Sequence, residues 1–354
     1  MDQDRLRALR EKYGEARGGD IFDPHFRRVA DSVFQGERRA LPYTSPATLL
    51  AAPFLAAPVP AEAGLDIALM GVPMDLGVTN RSGARFGPRA VRGVERIGPY
   101  EHVLRLAPFD GCRAADVGDV PLSSRYDVGA CHADIETAVR GWVEAGTVPL
   151  VVGGDHSISQ AILRAVGRDR PVGMIHIDAH CDTSGPFEGC RFHHGGPFRA
   201  AVLDGVLDPQ RVIQIGIRGA AEYLWEFSFD SGMTVVHAEE FAERGVAEVL
   251  AQALAVVGDG PTYISFDIDS VDPGFAPGTG TPEVGGLAPR EVLALLRGLS
   301  GVDVVGADVV EVAPQYDATS NTAHIAAQVL FTEFCLARLA LDRRKARGAG
   351  RGAG

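Results

Sequence analysis

The sequence has little with which to build a covalently stapled or thiolate-bound scaffold. Its five cysteines (Cys112, Cys131, Cys181, Cys190 and Cys335) are odd in number, scattered, and form no Cys-x-x-Cys pair. That disfavours a disulfide framework and suits reduced thiols in a cytoplasmic protein. Long hydrophobic runs are also missing. The most apolar early stretch, LLAAPFLAAPVPAEAG from Leu49, is short and broken by Pro53, Pro58 and Pro60, so no membrane span is expected. The N-terminal MDQDRLRALREKYGE alternates charge without the apolar segment of a secretory signal. Positive charge is in deficit, with 34 Lys and Arg against 46 Asp and Glu, a formal net charge of -12. Such a chain has no general attraction to nucleic acid or anionic membranes, and small cations are its favoured ligands.

What is present is a large globular core, since 46% of the 354 residues are hydrophobic. No internal repeat or long linker divides it, and one domain with tails is expected. Residues 1–60 read as an N-terminal extension, 61–342 as the main folded domain, and the basic, Gly-rich 343–354 as a disordered tail. Six apolar runs predict strands: Asp66–Pro73, Val148–His156, Val172–His180, Arg211–Gly219, Thr262–Asp269 and Val302–Pro314. Most are continuous rather than alternating, as strands covered on both faces should be. Helical patterns fall between them at Asp134–Ala145, Ser157–Val166, Val246–Val257, Arg290–Leu299 and Thr322–Asp342. The alternation predicts a three-layer α/β/α fold with a mostly parallel central sheet. Ligands of such folds bind outside the carboxyl ends of the strands. There the runs end in GGDHS, DAHCDT, DID and EVAP.

In extended chain, residues two apart face the same side. Asp178, His180 and Asp182 therefore share a face, Asp267 and Asp269 repeat the arrangement, and His156 ends a third strand. Taken singly, each is adequately explained as a polar strand end. As a set they are not, because crowded, partly buried carboxylates repel unless compensated, and no Lys or Arg lies beside them in sequence. Divalent cations are the natural compensation. Oxygen and imidazole donors without thiolate argue against a structural zinc site and suit Mn²⁺, with Ni²⁺ possible. Six side chains are too many for one catalytic ion. Two ions about 3.5–4 Å apart, sharing carboxylates and a water that loses its proton near neutral pH, account for them. His176, inside its apolar run, reads as a satisfied core histidine. The glycine-rich PGFAPGTGTPEVGG lacks the spacing and lysine of a phosphate loop.

The segments GGDHSIS, IDAHCDT, HHGGPFR and SFDIDSVDPGFAPGTGTPEVGGL resemble the signatures of the ureohydrolase (arginase/agmatinase) family, and GVPMDLGVTNRSGARFGPRAVR resembles its agmatinase branch. The resemblance runs from about Asp66 to Leu341 and implies an arginase-like fold. It also implies that His156, Asp178, Asp182 and Asp267 hold one metal and Asp178, His180, Asp267 and Asp269 the other. His194 would be the general acid and proton shuttle, matching better than His193, and Glu311 would pair with the substrate guanidinium. Asp182 or Asp269 would pass a proton to the leaving nitrogen. A homo-oligomer, trimer or hexamer, is implied as well.

Carboxylates outnumber the charge of two divalent ions, so the pocket should welcome a guanidinium, which is planar and permanently charged. Hydrolysis to urea and an amine is the expected reaction. The segment TSGPFEGCRFHHGG does not match arginase, so agmatine, 4-guanidinobutyrate or a similar compound is preferred. Thr79, Asn80, Arg81 and Glu188 are candidate contacts for the tail of the substrate. A very small guanidine or a biguanide, arginine, a formimino substrate, and a non-catalytic subunit of a hetero-oligomer are the alternatives. A deacetylase would need only one metal.

Overall fold

The structure, a computed structural model, describes residues 2–34, 44, 46–95 and 97–351. It divides into two units, Met1–Leu41 and Pro42–Gly354. The first unit holds α1 (Gln3–Tyr13) and α2 (Pro24–Phe34). Asp2 caps α1 by accepting from the Asp4 amide, and α1 buries no residue.

The second unit begins earlier than the expected boundary at residue 60. Leu49 and Leu50 are buried, and the Leu49 amide donates to Asp116 Oδ2 at 2.8 Å. Phe54 then forms a parallel bridge with Asp116. Proline punctuation had concealed apolar anchors. After α3 (Pro60–Ala63) come β1 (Ile67–Gly71), α4 (Gly87–Arg92), β2 (Ala114–Asp119), α5 (Val128–Glu144), β3 (Val148–Val152), α6 (Ile158–Val166) and β4 (Val172–Ile177). There follow α7 (Pro197–Leu203), β5 (Leu207–Ile217), α8 (Glu226–Ser231), β6 (Thr234–His237), α9 (Ala238–Val257), β7 (Thr262–Asp267), α10 (Pro289–Gly298), β8 (Val304–Val310) and α11 (Asn321–Arg351).

All strands pair in parallel in one sheet of order β2-β1-β3-β8-β7-β4-β5-β6. Successive side chains point to opposite faces. Ile67, Leu69, Leu150 and Val152 pack with residues of α9, α10 and α11, whereas Ala68, Met70 and Val151 pack with residues of α5, α6 and α7. Both faces are covered, as the continuous apolar runs require. The two strands not expected from sequence, β2 and β6, are the two edges of the sheet. Paired on one side and only partly buried, they carry too weak an apolar signal.

The tail departs from expectation too. Instead of unfolding at Arg343, α11 continues to Arg351. Arg343 donates to the carbonyls of Ser300 and Val302 at 2.6 and 2.7 Å, and Arg344 pairs with Asp303 at 2.7 Å. The basic residues tether the helix to the loop before β8, which composition could not reveal; residues 352–354 of the expected tail lie outside the described residues. By length and composition α11 could cross a membrane, but 72% of its apolar window is buried. It is a core helix beside β8 and β3.

Candidate metal centre

The strands that supply the site, β3, β8, β7 and β4, are adjacent in the middle of the sheet. Ile177 is registered against Phe266, so the carboxylates that follow, Asp178 and Asp267, emerge side by side. Beyond β3 the chain turns through Gly153 and Gly154; a Cβ on Gly154 would lie 1.6 Å from the Met74 carbonyl oxygen, so only glycine lets the turn approach that loop. His156 follows, completely buried.

His156 Nδ1 faces Asp178 Oδ2 at 3.1 Å, Asp182 Oδ2 at 3.0 Å and Asp267 Oδ2 at 3.2 Å. Its other nitrogen, Nε2, lies 2.9 Å from Ser265 Oγ, and Ser265 donates to Asp308 Oδ1 at 2.7 Å. Because the hydroxyl proton goes to Asp308, Ser265 accepts the proton of Nε2, which leaves Nδ1 directed at the three carboxylates. Asp308 is fixed by two further hydroxyls, Tyr263 at 2.7 Å and Ser159 at 2.6 Å. A second group forms beside the first. His180 Nδ1 lies 3.2 Å from Asp269 Oδ2 and 3.5 Å from Asp178 Oδ1. Thr281 donates to Asp269 Oδ2 at 3.0 Å.

The electrostatics show what the cluster lacks. Burial, followed by the charges of Asp269 and Asp178, pushes the Asp267 pKa well up, and burial with Asp178 raises Asp269. Burial works against charge on His156 and His180, but the carboxylates around them hold both well above the usual imidazole range. Carboxylates buried and crowded in this way stay charged only where cations lie among them. His156 Nδ1 is buried and finds no hydrogen-bond partner among the described residues. Two adjoining groups, His156, His176 and Asp178 on one side and Asp178, His180 and Asp269 on the other, bring possible ligand atoms within 4.8 Å of one another, and such oxygen and imidazole donors fit a pair of hard or borderline divalent ions.

Glu311 follows β8 in the left-handed region at φ 63°, and Asp182 at φ 52° does the same after β4. Strained backbone at two site residues indicates that their side chains are aimed by the surrounding structure. Glu311 Oε1 accepts from the His156 amide and from His194 Nδ1, both at 2.9 Å. Its Oε2 is buried with no partner among the described residues. Burial would lower the His194 pKa, but the carboxylate of Glu311 outweighs it and holds it up at about 9. His193 turns away and donates to the Gly185 carbonyl at 2.8 Å.

The candidate tail contacts are placed differently. The Thr79 hydroxyl and amide lie 2.6 and 3.1 Å from His194 Nε2. Asn80 donates to the Gly280 carbonyl at 3.0 Å, and Arg81 to the carbonyls of Gly280 and Thr279 at 3.2 and 2.9 Å. The Arg81 guanidinium also lies 4.4 Å from the centre of the Tyr316 ring. Two of its donors join the loops. Glu188 is exposed, at φ 48°, within the turn closed by Phe187 and Cys190. Ser265 and Asp308 were not singled out from sequence, although each is a polar residue interrupting an apolar run.

The sequence model of the Arginase family matches residues 65–335. Guanidinopropionase of Pseudomonas aeruginosa is 49% identical over 278 residues, covering 77% of this chain and 87% of that protein. Mitochondrial agmatinase of Gallus gallus is 46% identical over 277 residues, covering 77% and 81%. Among solved structures, the proclavaminate amidino hydrolase of Streptomyces clavuligerus superposes with a TM-score of 0.79 at 38% identity, covering 85% of this chain and all of the other.

Proposed function

Given that the chain belongs to the arginase family and is a hydrolase of guanidino compounds, we propose that it cleaves a linear ω-guanidino compound to urea and an amine at a pair of divalent metal ions. The observation that carries this reading is Glu311 Oε2, a buried carboxylate oxygen with no hydrogen-bond partner among the described residues, on a side chain whose Oε1 accepts from the His156 amide. A buried carboxylate oxygen without a donor is costly, and a guanidinium N–H fits a fixed carboxylate oxygen. Similarity to a guanidinopropionase and an agmatinase supports an unbranched substrate with a guanidino group at one end.

His156, Asp178, Asp182 and Asp267 would hold one ion, and Asp178, His180, Asp267 and Asp269 the other, with Mn²⁺ preferred on donor chemistry and Ni²⁺ second. When bound, such ions make water nucleophilic near neutral pH. Glu311 binds and orients the guanidinium, its Oε1 being fixed by the His156 amide and by His194. Water adds to the central carbon and the bond to the substituted nitrogen breaks. His194, whose pKa Glu311 holds up at about 9, supplies the proton taken up by that nitrogen, which leaves as the amine.

The test is urea release from a panel of 3-guanidinopropionate, 4-guanidinobutyrate, agmatine and arginine, with Mn²⁺ and Ni²⁺ each added after metal removal. Turnover of one of the first three is expected. Formamide from a formimino compound, without urea from any of the four, would overturn the reading. A cytoplasmic homo-oligomer belongs to the same proposal; five free cysteines support the compartment, and sedimentation of the purified chain tests the assembly.

A further inference from the structure

His176 is outside the proposed ligand set, yet it touches Asp178, one of the two carboxylates that both proposed ligand sets share. The relevant proton can be traced from a group that has no choice. The Cys181 carbonyl oxygen can only accept, and Gln214 Nε2 lies 2.6 Å from it. That contact fixes which end of the Gln214 amide is nitrogen. The same nitrogen sends its second hydrogen to His176 Nδ1 at 3.0 Å. Nδ1 is therefore an acceptor, the ring proton sits on Nε2, and Nε2 donates to Asp178 Oδ2 at 2.7 Å. His176, Gln214 and Asp178 are all completely buried. His176 and Gln214 are registered directly across β4 and β5, so the sheet itself sets the pair. The imidazole is also packed against Phe198, with ring centres 4.4 Å apart.

We propose that Gln214 and His176 are a positioning pair for Asp178. The amide selects the imidazole tautomer, and the imidazole occupies one lone pair of Oδ2. The His180 amide occupies Oδ1 in the same way, at 2.6 Å. With each oxygen held by one hydrogen bond, the remaining lone pairs face His156 Nδ1 at 3.1 Å and His180 Nδ1 at 3.5 Å. That is the orientation a carboxylate shared by two ions needs. The inference rests on the reading of Asp178 as that shared ligand.

The experiment is titration of Mn²⁺ alone into the metal-stripped full chain, with circular dichroism to verify the fold and KM measured on the loaded enzyme. Wild type should take up two ions. His176→Phe keeps a ring against Phe198 but removes both nitrogens, and should weaken Mn²⁺ binding by about 10–100-fold. His176→Gln, which returns a donor near the Nε2 position, should recover most of that loss, and KM for the guanidino substrate should stay unchanged at saturating Mn²⁺. Should the Phe variant fail to fold, Gln214→Leu leaves the imidazole in place but frees its tautomer, and should lose about tenfold. Wild-type Mn²⁺ affinity in the folded variants would overturn the pair while leaving the two-metal reading intact. Fewer than two ions in wild type would overturn the shared-ligand reading and the pair with it.

Discussion

The two halves of the metal centre are built differently. The His156 half is closed: the imidazole is wholly buried, and its far nitrogen passes a proton into the Ser265–Asp308 pair, itself held by Tyr263 and Ser159. In the other half, the His180 side chain is 28% exposed, and its far nitrogen has Glu283 Oε1 at 3.9 Å, too far for a hydrogen bond. Partners behind a ligand fix its tautomer and direction and commonly contribute 10–100-fold to affinity. The comparison teaches that an ion held by His156 should be the tighter of the two, and one held by His180, on the side that solvent reaches, the more exchangeable. During dialysis against a chelator, the ion beside His180 is expected to leave first.

The harshest way to break the contrast is to remove what the halves share. Asp178→Ala should lose bound metal from both and reduce urea release by more than about 10³-fold, some 4 kcal/mol of barrier; normal metal content by elemental analysis would contradict the ligand assignment. His194→Ala separates catalysis from metal holding. It should keep both ions and lower kcat by about 10²–10³-fold with little change in KM, and a fall in metal content would place His194 among the ligands instead. Asp308→Asn sharpens the contrast itself. It should weaken only the tighter ion, by about tenfold or more, and equal weakening of both ions would show that the two halves are supported as one.

Protonation offers a test within the closed half. The folded-state pKa of His194, about 9, lies above its ordinary value of 6.5. Its contribution to stability is therefore complete below about pH 6.5 and lost as pH rises through about 9. In the metal-free protein, the stability gap between wild type and His194→Gln in urea melts should shrink between pH 6 and pH 10, by on the order of 2 kcal/mol. A gap that widened with pH would reverse the assigned charge.

The division between what the sequence disclosed and what it withheld follows the same physics. The central strands were legible because burial on both faces writes continuous apolar runs, and the Asp and His cluster because a spacing of two survives into the loops after them. Edge strands β2 and β6 were not legible, being half covered. Nor were the supports of the site. Ser265 and Asp308 meet across neighbouring strands, as do His176 and Gln214, and no local spacing records a cross-strand partner. Their one trace is a polar side chain in the middle of an apolar run, which must be satisfied by something out of sight. Thr79 and Arg81 show a different limit: a loop residue type can suggest a ligand contact, but only geometry shows that the Thr79 hydroxyl lies against His194 and that the Arg81 guanidinium donates to two carbonyls.

The smallest expected effect is also the sharpest test of the asymmetry. Glu283 is the one acidic side chain found behind His180 among the described residues, with 38% of its side chain exposed. At that exposure a charge pair is screened and contributes well under about 1 kcal/mol, and the 3.9 Å separation allows no directional bond to hold the ring. Glu283→Gln should therefore change the affinity of the weaker ion by less than about threefold. Asp308→Asn, an equally conservative removal of charge behind the other imidazole, should cost that ion about tenfold or more. If Glu283→Gln instead weakened metal binding as strongly as Asp308→Asn, His180 would have a true supporting carboxylate that tightens only when the ion is present. The closed and open halves would then be equivalent once loaded.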